Sequence, residues 1–514
     1  MTMKTINSTN LFIAGVMMIL LVSCSKDFLE VESKGTSLEG AYYKNESDAT
    51  SALVAVYDIM NVNSSSFANI ITFMNAGSDD NFGGGGPGEG SNTIAQFSSF
   101  NVNPINMNDA GASGLWSNHF QGIFRANTLL QKLPEIPMDA NLKTRYAAEC
   151  KAMRAYYHFN LVRMFGNIPL LTTTITPTDA LTYPQSPPEE VYAQIELDLI
   201  DAIDGLPSTI NIDTEGGRWT KGAAQAMLGK VYLYQKKNAE AAAQLAIVNG
   251  PNSGMVFSSP YGYKLLNNFS DLWVFTNKFN SECILSDSHS STGNATWGGV
   301  SWGTEGNILN VMTGIRGYTR AANSTAPDYY SGGWGYNTVT QDLYDVLNGD
   351  PRFDATIIDA KALIASGQIE GYTVGTQDTG YFMAKFAPKN SDVTPVAAAA
   401  QELNFKQNTY IIRLADTYLM EAEALGGSGA RAQALLDAVR TRVGLSSVLV
   451  SLDAIALERR KELACEGHRF FDLVRTGKAA TVLASRGFVA GKNEILPIPF
   501  RDLENSVLEQ NPGY

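Results

Sequence analysis

Three of the six tryptophans of this chain lie in one polar, glycine-rich stretch. A core tryptophan has aliphatic neighbours at helix or strand spacing, and these do not. A flat ring in a polar loop can stack on the apolar face of a sugar, worth about 1 kcal/mol by analogy with aromatic pairs. Two or three stacks predict a dissociation constant in the micromolar to millimolar range. The alternative for any one ring is that it only anchors the loop. The candidate rings are Trp297, Trp302, Trp334, Tyr329, Tyr330 and Tyr336.

Residue patterns typical of enzymes are mostly absent. None of the four histidines forms a His-Glu-x-x-His pair, and neither Cys-x-x-Cys nor Gly-x-Ser-x-Gly occurs. Gly83, Gly85 and Gly88 match the spacing of a dinucleotide-binding loop. They lie in a polyglycine run that contains proline, with no helix opening directly after it, which argues against that function. We therefore predict a protein without catalytic activity.

Adjacent acidic and amide residues, Asp79, Asp80 and Asn81, follow a short apolar segment. Sequence neighbours point apart, so Asp79 and Asp80 cannot face each other across a glycosidic bond as glycosidase carboxylates do. The spacing is not that of an EF-hand. We predict no cofactor, with calcium as the one ion that these oxygens could hold. Solvated loop acids are the simpler interpretation, and Asp80 and Asn81 could contribute to a ligand site opposite the rings.

The charge balance narrows the class of ligand. The chain has a net charge of −13, which argues against nucleic acid, because phosphate binding requires clustered Lys and Arg. Between positions 286 and 337, the cations are Arg316 and Arg320 alone. A sulfated or uronic polymer would favour several. A neutral glycan is therefore favoured, with Arg320 as a further candidate contact.

The N-terminus predicts export and lipidation. Lys4 precedes an apolar run at 11–22, which is too short to span a bilayer and suits a signal peptide. The run ends at Ser23-Cys24, so we expect cleavage before Cys24 and lipid attachment to it. The alternative is an ordinary secretory signal. More than one acyl chain would anchor the protein stably.

Apolar periodicity predicts helices on both sides of an irregular region. Helical patterns cover 149–165, 188–206, the small-residue segment 221–234, and 239–248. In the C-terminal part, a stripe that starts at Ile412 ends at Gly426, and helices follow over 430–443 and 452–463. The segments 77–92 and 286–337 are predicted to be loops, because Gly and polar residues there do not favour helix. Short paired helices of this kind resemble tetratricopeptide-type hairpins.

Several motifs together resemble the SusD/RagB family of outer-membrane nutrient-binding lipoproteins. These motifs occur in order over nearly the whole chain. They are 24–30 (CSKDFLE), Trp116, 125–127 (RAN), 153–157 (MRAYY), 161–170 (LVRMFGNIPL), 219–224 (WTKGAA), 229–234 (GKVYLY), 413–424 (RLADTYLMEAEA), 458–463 (ERRKEL), 466–473 (EGHRFFDL), 496–499 (LPIP) and 511–514 (NPGY).

The resemblance implies a mainly α fold: a tetratricopeptide-like scaffold with a loop-rich ligand-binding insertion. It also implies pairing with a SusC-like TonB-dependent outer-membrane transporter. We divide the chain into a signal peptide (1–23), a tether (24–39), an N-terminal helical region (40–285), the insertion (286–400) and a C-terminal helical region (401–514). Glu466, Arg469 and Asp472 are predicted to form a structural ion-pair network on one helix face. The predicted function is capture of an oligosaccharide at the cell surface; capture of peptides and glycoside hydrolysis are the alternatives.

Overall fold

The computed structural model describes residues 42–67, 69–292, 305–395 and 400–514. Helices dominate it, as predicted, and none of the described helices combines the length and hydrophobicity needed to cross a bilayer. The helices are α1 (Glu46–Ser65), α2 (Ile70–Ala76), α3 (Thr93–Ser98), α4 (Ala110–Lys132), α5 (Ala140–Phe165), α6 (Pro177–Ala180), α7 (Pro188–Gly205), α8 (Ile212–Glu215), α9 (Lys221–Tyr234), α10 (Asn238–Asn249), α11 (Ile308–Thr313), α12 (Gln341–Leu347), α13 (Phe353–Thr356), α14 (Ala360–Ala365), α15 (Leu414–Ala424), α16 (Gly429–Arg442), α17 (Leu452–Glu462), α18 (Arg469–Arg475), α19 (Ala479–Val482) and α20 (Phe500–Leu503).

The longer helices form a stack. Helix α4 packs between α1 and α5, α7 packs between α5 and α9, and α9 packs on α10. Helix α10 then packs on α15, which also contacts α16 and α17. The C-terminal helices therefore continue the stack that the N-terminal helices begin, although the insertion separates them in the sequence. This arrangement confirms the helical-hairpin prediction.

Small side chains allow α9 to pack tightly. The bounds of α9 are those predicted from the sequence, and Thr220 caps its start by accepting from the Ala223 amide at 3.2 Å. A Cβ added at Gly229 would lie only 2.6 Å from the Leu245 side chain of α10. The small residues of this segment therefore permit the close helix contact that the sequence indicated.

Strands are short and pair locally, except for one pair at the base of the insertion. They are β1 (Ile168–Pro169), β2 (Gln185–Ser186), β3 (Asn252–Ser253), β4 (Val256–Phe257), β5 (Cys283–Asp287), β6 (Thr319–Arg320), β7 (Ile357–Asp359), β8 (Ile369–Gly371), β9 (Tyr381–Met383) and β10 (Thr409–Arg413). The antiparallel pairs are β1–β2, β3–β4, β6–β8, β7–β9 and β5–β10. Pairing of β5 with β10 brings the two ends of the insertion together.

Three predicted boundaries are wrong. The helix predicted over 149–165 begins nine residues earlier, at Ala140. Ile412 belongs to strand β10, and the helix begins at Leu414, because the pairing with β5 takes precedence over the apolar stripe. The segment 286–337 is not all loop: it contains α11, which is wholly buried. Apolar residues Ile308, Leu309, Val311 and Met312 supply that burial, and the Asn307 side chain caps the helix start.

The predicted ion-pair motif is structural, but its three residues do not pair with one another. Glu466 precedes α18 and binds Arg413 and Lys385 at 2.9 and 2.8 Å. Arg469 binds Asp79 at 2.8 Å, whereas Asp472 binds Arg459 at 3.1 Å. The prediction that these three residues pair with one another along one helix face was therefore wrong, because α18 starts after Glu466 and each side chain meets a charge from a packed neighbour. Asp472 also pairs along α18 itself, with Arg475 at 2.7 Å.

A small cavity of about 60 Å³ lies where α1, α5, α9 and β10 meet. Asp287 lines it, and neither of its carboxylate oxygens has a well-formed hydrogen bond among the described residues. Burial raises the pKa of Asp287 to about 8, and the nearby Ser64 hydroxyl opposes this only partly. The other charged and titratable groups that share the cavity wall are Tyr156, Arg163, Lys230, Tyr410, Glu466 and His468.

We expect Asp287→Asn to stabilise the protein at pH 8 and to flatten its pH dependence. The pKa of the Asp287 carboxyl is about 8 in the folded protein, against the ordinary 3.8 in the unfolded chain. The stability that is fully present below pH 3.8 is therefore lost as the pH rises from 3.8 towards 8, by up to about 1.4 kcal/mol per pH unit. His468 stays neutral here, because burial lowers its pKa to about 4. Calorimetric melting from pH 5 to 8 measures the effect, with the exposed Asp453→Asn as control. Parallel curves for wild type and Asp287→Asn would contradict it.

Candidate functional site

The polyglycine segment and the tryptophan-bearing segment pair with each other. Phe82 donates its amide to Thr338 at 2.8 Å, and Asn337 donates to Gly83 at 2.8 Å. Isolated bridges join Asn81 to Val339 and Gly84 to Tyr336. At Gly84, φ is +70°, and an added Cβ would lie 2.4 Å from the Gly335 carbonyl. We call this antiparallel pair of segments, 81–86 and 335–339, the ribbon.

Backbone hydrogen bonds attach one end of the ribbon to helix α11. Trp334 and Tyr336 donate their amides to Val311 and Met312 at 2.9 and 2.8 Å. The helix that the sequence did not predict is therefore the support for both rings. A ring carried by backbone that is hydrogen-bonded to a buried helix is pre-positioned for a ligand, which lowers the entropic cost of binding.

Three rings form a partly exposed cluster beside the ribbon. The ring of Trp334 lies nearly parallel to that of Phe67, with centroids 5.8 Å apart and planes at 9°. Tyr336 meets Trp334 edge-on at 6.5 Å. Phe67 is 42% exposed, while Trp334 and Tyr336 are half-buried. We call Phe67, Trp334 and Tyr336 the aromatic platform.

Polar groups border the aromatic platform. The Tyr336 hydroxyl donates to Glu89 at 3.1 Å, and Arg316 forms a longer ion pair with Glu89 at 3.5 Å. Burial, and then the charge of Glu89, raises the pKa of Tyr336 to about 12, so its hydroxyl keeps its proton at neutral pH. Glu89 and Arg316 are each about one-third exposed, at 38% and 34%. They can therefore accept from and donate to ligand hydroxyls.

The other predicted aromatic and basic residues make their ring contacts and ion pairs with residues outside the platform. Tyr330 is half-buried against Phe405, with centroids 5.8 Å apart. Tyr329 is only 8% exposed and packs edge-on against Tyr318. Arg320 donates to the Ser324 carbonyl and lies 3.6 Å from Asp328. Tyr329 and Arg320 therefore stabilise the insertion around β6. Tyr330 and the Arg320 side chain, which is 33% exposed, remain near enough to the surface to contact a ligand.

The prediction of solvated acids at 79–81 was wrong. Asp80 is 1% exposed and binds Arg460 at 2.7 Å, and Asn81 is fully buried in the ribbon. Arg469 and Arg460 outweigh burial and lower the pKa of Asp79. The arginines come from the C-terminal helices, which the sequence did not place nearby. Asp80 and Asn81 are therefore buried structural residues, and neither is accessible to a ligand.

Three predicted residues lie outside the described residues: Trp297, Trp302 and the lipidation candidate Cys24. Within the described ranges, no group of three or more His, Cys, Asp or Glu side chains could hold a metal ion. Phe67, Glu89 and Arg316 were not recognised from the sequence as candidate contacts. Phe67 follows Ser64-Ser65-Ser66, so the criterion of an aromatic ring in a polar segment would have found it.

Comparison with known proteins agrees with this architecture. A family model described as "SusD family" matches residues 286–488, and one described as "Starch-binding associating with outer membrane" matches residues 27–233. A solved "Laminarin binding SusD-like protein" is 55% identical, with a TM-score of 0.87, over 92% of this chain and 100% of that one. The chain belongs to the SusD/RagB family.

More distant members share the whole fold. Surface glycan-binding protein A from Bacteroides fluxus is 28% identical, with a TM-score of 0.77, over 92% of this chain and 100% of its own. SusD-like protein P25 of Formosa agariphila is 25% identical over 97% of this chain and 98% of its own. The SusD/RagB resemblance inferred from the motifs is thereby confirmed over nearly the full length.

Proposed function

We propose that this protein is a non-catalytic surface protein that captures laminarin-type glucan oligosaccharides. The observation that carries the proposal is its 55% identity, over the full length of that relative, to a solved SusD-like protein named as laminarin-binding. The aromatic platform supports it, because stacked rings beside polar groups suit a sugar ring with apolar faces and hydroxyl edges. Trp334 and Phe67 supply the rings, and Glu89 and Arg316 supply the hydrogen bonds.

The proposed route continues from capture to import. Lipid at Cys24 would anchor the protein in the outer membrane, and a SusC-like TonB-dependent transporter would receive the oligosaccharide. Support for the location comes from the family model whose description names outer-membrane association. Support for capture without cleavage comes from the names of the relatives, which describe binding.

Titration calorimetry of the full mature chain against a glycan panel tests the proposal. We expect laminari-oligosaccharides to bind with a dissociation constant in the micromolar to millimolar range, since a few stacks and hydrogen bonds support that affinity. Cello- and malto-oligosaccharides of equal length serve as linkage controls.

Two outcomes would contradict the proposal in different ways. Binding of peptides without binding of any glycan would assign the platform to peptide capture. Release of reducing sugar from laminarin by the purified protein would show a hydrolase. In the absence of both, laminarin retarding the protein in a native gel is the expected second readout.

A further inference from the structure

A second cleft, of about 670 Å³, opens at the other end of the ribbon from the aromatic platform. Its volume lies within the range of sites for small ligands. Phe82 and Thr340 belong to the cleft, whereas Gly84 and Tyr336 lie towards the platform, two and four residues away, so the two surfaces are about 7–14 Å apart along the ribbon. Its lining comprises Asp79, Phe82, Thr340, Gln341, Asp342, Lys361, Thr379, Tyr381, Arg460, Arg469, Val482, Ser485 and Arg486.

Two arginines of the cleft are neutralised by carboxylates. Arg469 binds both oxygens of Asp79, at 2.8 and 2.9 Å. Arg460 binds Asp80 at 2.7 Å and also reaches Asp342. Such paired, partly buried groups form a structural network and have little capacity left for a ligand anion.

Two other cations of the cleft have no carboxylate partner among the described residues. Arg486 lies over the Phe82 ring at 4.3 Å, and its Nη1 donates to the Asn81 carbonyl at 2.7 Å. Its Nε and Nη2 make no hydrogen bond to the described part of the chain. Lys361 is exposed, and its Nζ lies 4.5 Å from the centroid of the Tyr381 ring. Aromatic faces and a backbone carbonyl thus hold both cations in place without cancelling their charge.

The cleft is locally positive on an acidic protein. Its wall carries four cations against the carboxylates of Asp79 and Asp342, an excess of two charges, and counting the buried Asp80 behind the wall leaves an excess of one. The chain as a whole has a net charge of −13. An anion that the rest of the surface repels would therefore find its favourable position here.

Cations, and in one case a second ring, already occupy faces of the aromatic rings of the cleft. Arg486 covers one face of Phe82, and Lys361 covers one face of Tyr381. Tyr344 stacks on Tyr381 at 4.4 Å, with an angle of 27° between the planes. The cleft therefore differs in kind from the aromatic platform: it offers charge and hydrogen bonds where the platform offers ring faces.

We propose that this cleft binds a saccharide bearing a carboxylate group, with Arg486 and Lys361 as the residues that recognise the anion. Charge-assisted hydrogen bonds from Arg486 Nε and Nη2 to the carboxylate would supply the geometry, and Lys361 would add a point charge. The inference goes beyond capture of a neutral glucan, because a neutral chain has no group that requires these cations.

Calorimetric titration of the full mature chain with trigalacturonate at low ionic strength tests the inference. We expect binding that weakens as salt is added, and an affinity at least tenfold lower in Arg486→Gln/Lys361→Gln. The matched control is Arg501→Gln on α20, outside the cleft, which should bind trigalacturonate as the wild type does. Lys361→Gln alone changes an exposed side chain and shows the direction of the effect even if the double variant folds poorly.

Three results would overturn the inference: no binding of trigalacturonate to the wild type, equal binding to the double variant, or equally tight binding of neutral laminaritriose in this cleft. Titration with sodium sulfate tests whether the negative charge alone is sufficient for binding. If sulfate binds as tightly as trigalacturonate, the cleft recognises an anion and not a saccharide. Laminari-oligosaccharide binding should be the same in the double variant and the wild type, so this test is independent of the proposed function.

Discussion

Replacing Trp334 with alanine is expected to weaken laminari-oligosaccharide binding by about tenfold or more. Loss of one stacking ring removes about 1 kcal/mol, and loss of the parallel partner of Phe67 leaves that exposed ring without its support. A change of about 1.4 kcal/mol corresponds to tenfold in affinity. Calorimetry with a single purified oligosaccharide measures the change directly, and an unchanged melting temperature would confirm that the fold is intact.

Phe124→Ala is the matched control for this prediction. Phe124 is 47% exposed, similar to Phe67, and lies on α4. The start of α4 is close to the platform, since an added Cβ at Gly111 would lie 2.8 Å from the Phe67 carbonyl. Phe124 lies about 20 Å further along that helix, so its removal should leave affinity unchanged. Equal affinity of Trp334→Ala and wild type would mean that the platform does not hold the glucan.

The sequence predicted part of the aromatic platform, because the composition of a ring's neighbours is a local property. Trp334 and Tyr336 stand among glycines and polar residues, and both are half-buried at the platform. The same criterion selected Tyr329, which is buried. Neighbour composition does not distinguish a ring that stacks on a ligand from one that packs in a small satellite core. That difference depends on tertiary contacts, here with Tyr318.

Pairings between distant segments could not be predicted. The polyglycine loop and the segment after Trp334 were each recognised as irregular, but their pairing in the ribbon is set by packing on α11. The carboxylates at 79–81 were assigned to solvent because their partners, Arg460 and Arg469, lie far along the chain. An Asp in a glycine-rich segment has the same local sequence whether it meets water or a guanidinium group.

Helix prediction failed where packing compensates for weak propensity. Helix α4 contains Gly111, Gly114 and Gly122, each of which disfavours helix by up to about 1 kcal/mol relative to alanine. It forms because it is packed between α1 and α5. Helix α9 also carries two glycines, Gly222 and Gly229, yet its bounds were predicted correctly. Its residues Met227, Val231 and Tyr234 form an apolar stripe at helical spacing, and this pattern, not a lower glycine content, made α9 predictable.

Substitution of Glu462 by glutamine is expected to lower the free energy of unfolding by about 3–5 kcal/mol, a large share of the stability of an ordinary domain. Glu462 is fully buried at the end of α17 and binds Arg413 at 2.6 Å, Arg352 at 2.9 Å and also Arg442. Glutamine has nearly the same shape but no charge. The variant therefore leaves three buried guanidinium groups short of a counter-charge, which is costlier than losing one surface contact.

The effect should depend on pH in a defined direction. Burial opposes ionisation, but Arg442, Arg413 and Arg352 hold the pKa of Glu462 well below its ordinary 4.5. The Glu462 carboxylate therefore stabilises the folded protein fully above pH 4.5, and this contribution is lost as the pH falls from 4.5 towards the folded-state pKa. Urea unfolding at pH 7 and pH 4 should show a smaller difference between wild type and Glu462→Gln at the lower pH.

Asp453→Asn on the same helix is the matched control for Glu462→Gln. Asp453 pairs with Lys478 at 3.0 Å, but the two side chains are 90% and 51% exposed, and such surface pairs contribute about 0–1 kcal/mol. Equal destabilisation by the two substitutions would show that the buried network adds nothing beyond a surface pair. A large difference would show that α17 holds the insertion, through Arg352, and β10, through Arg413, in a single cooperative unit with the helical stack.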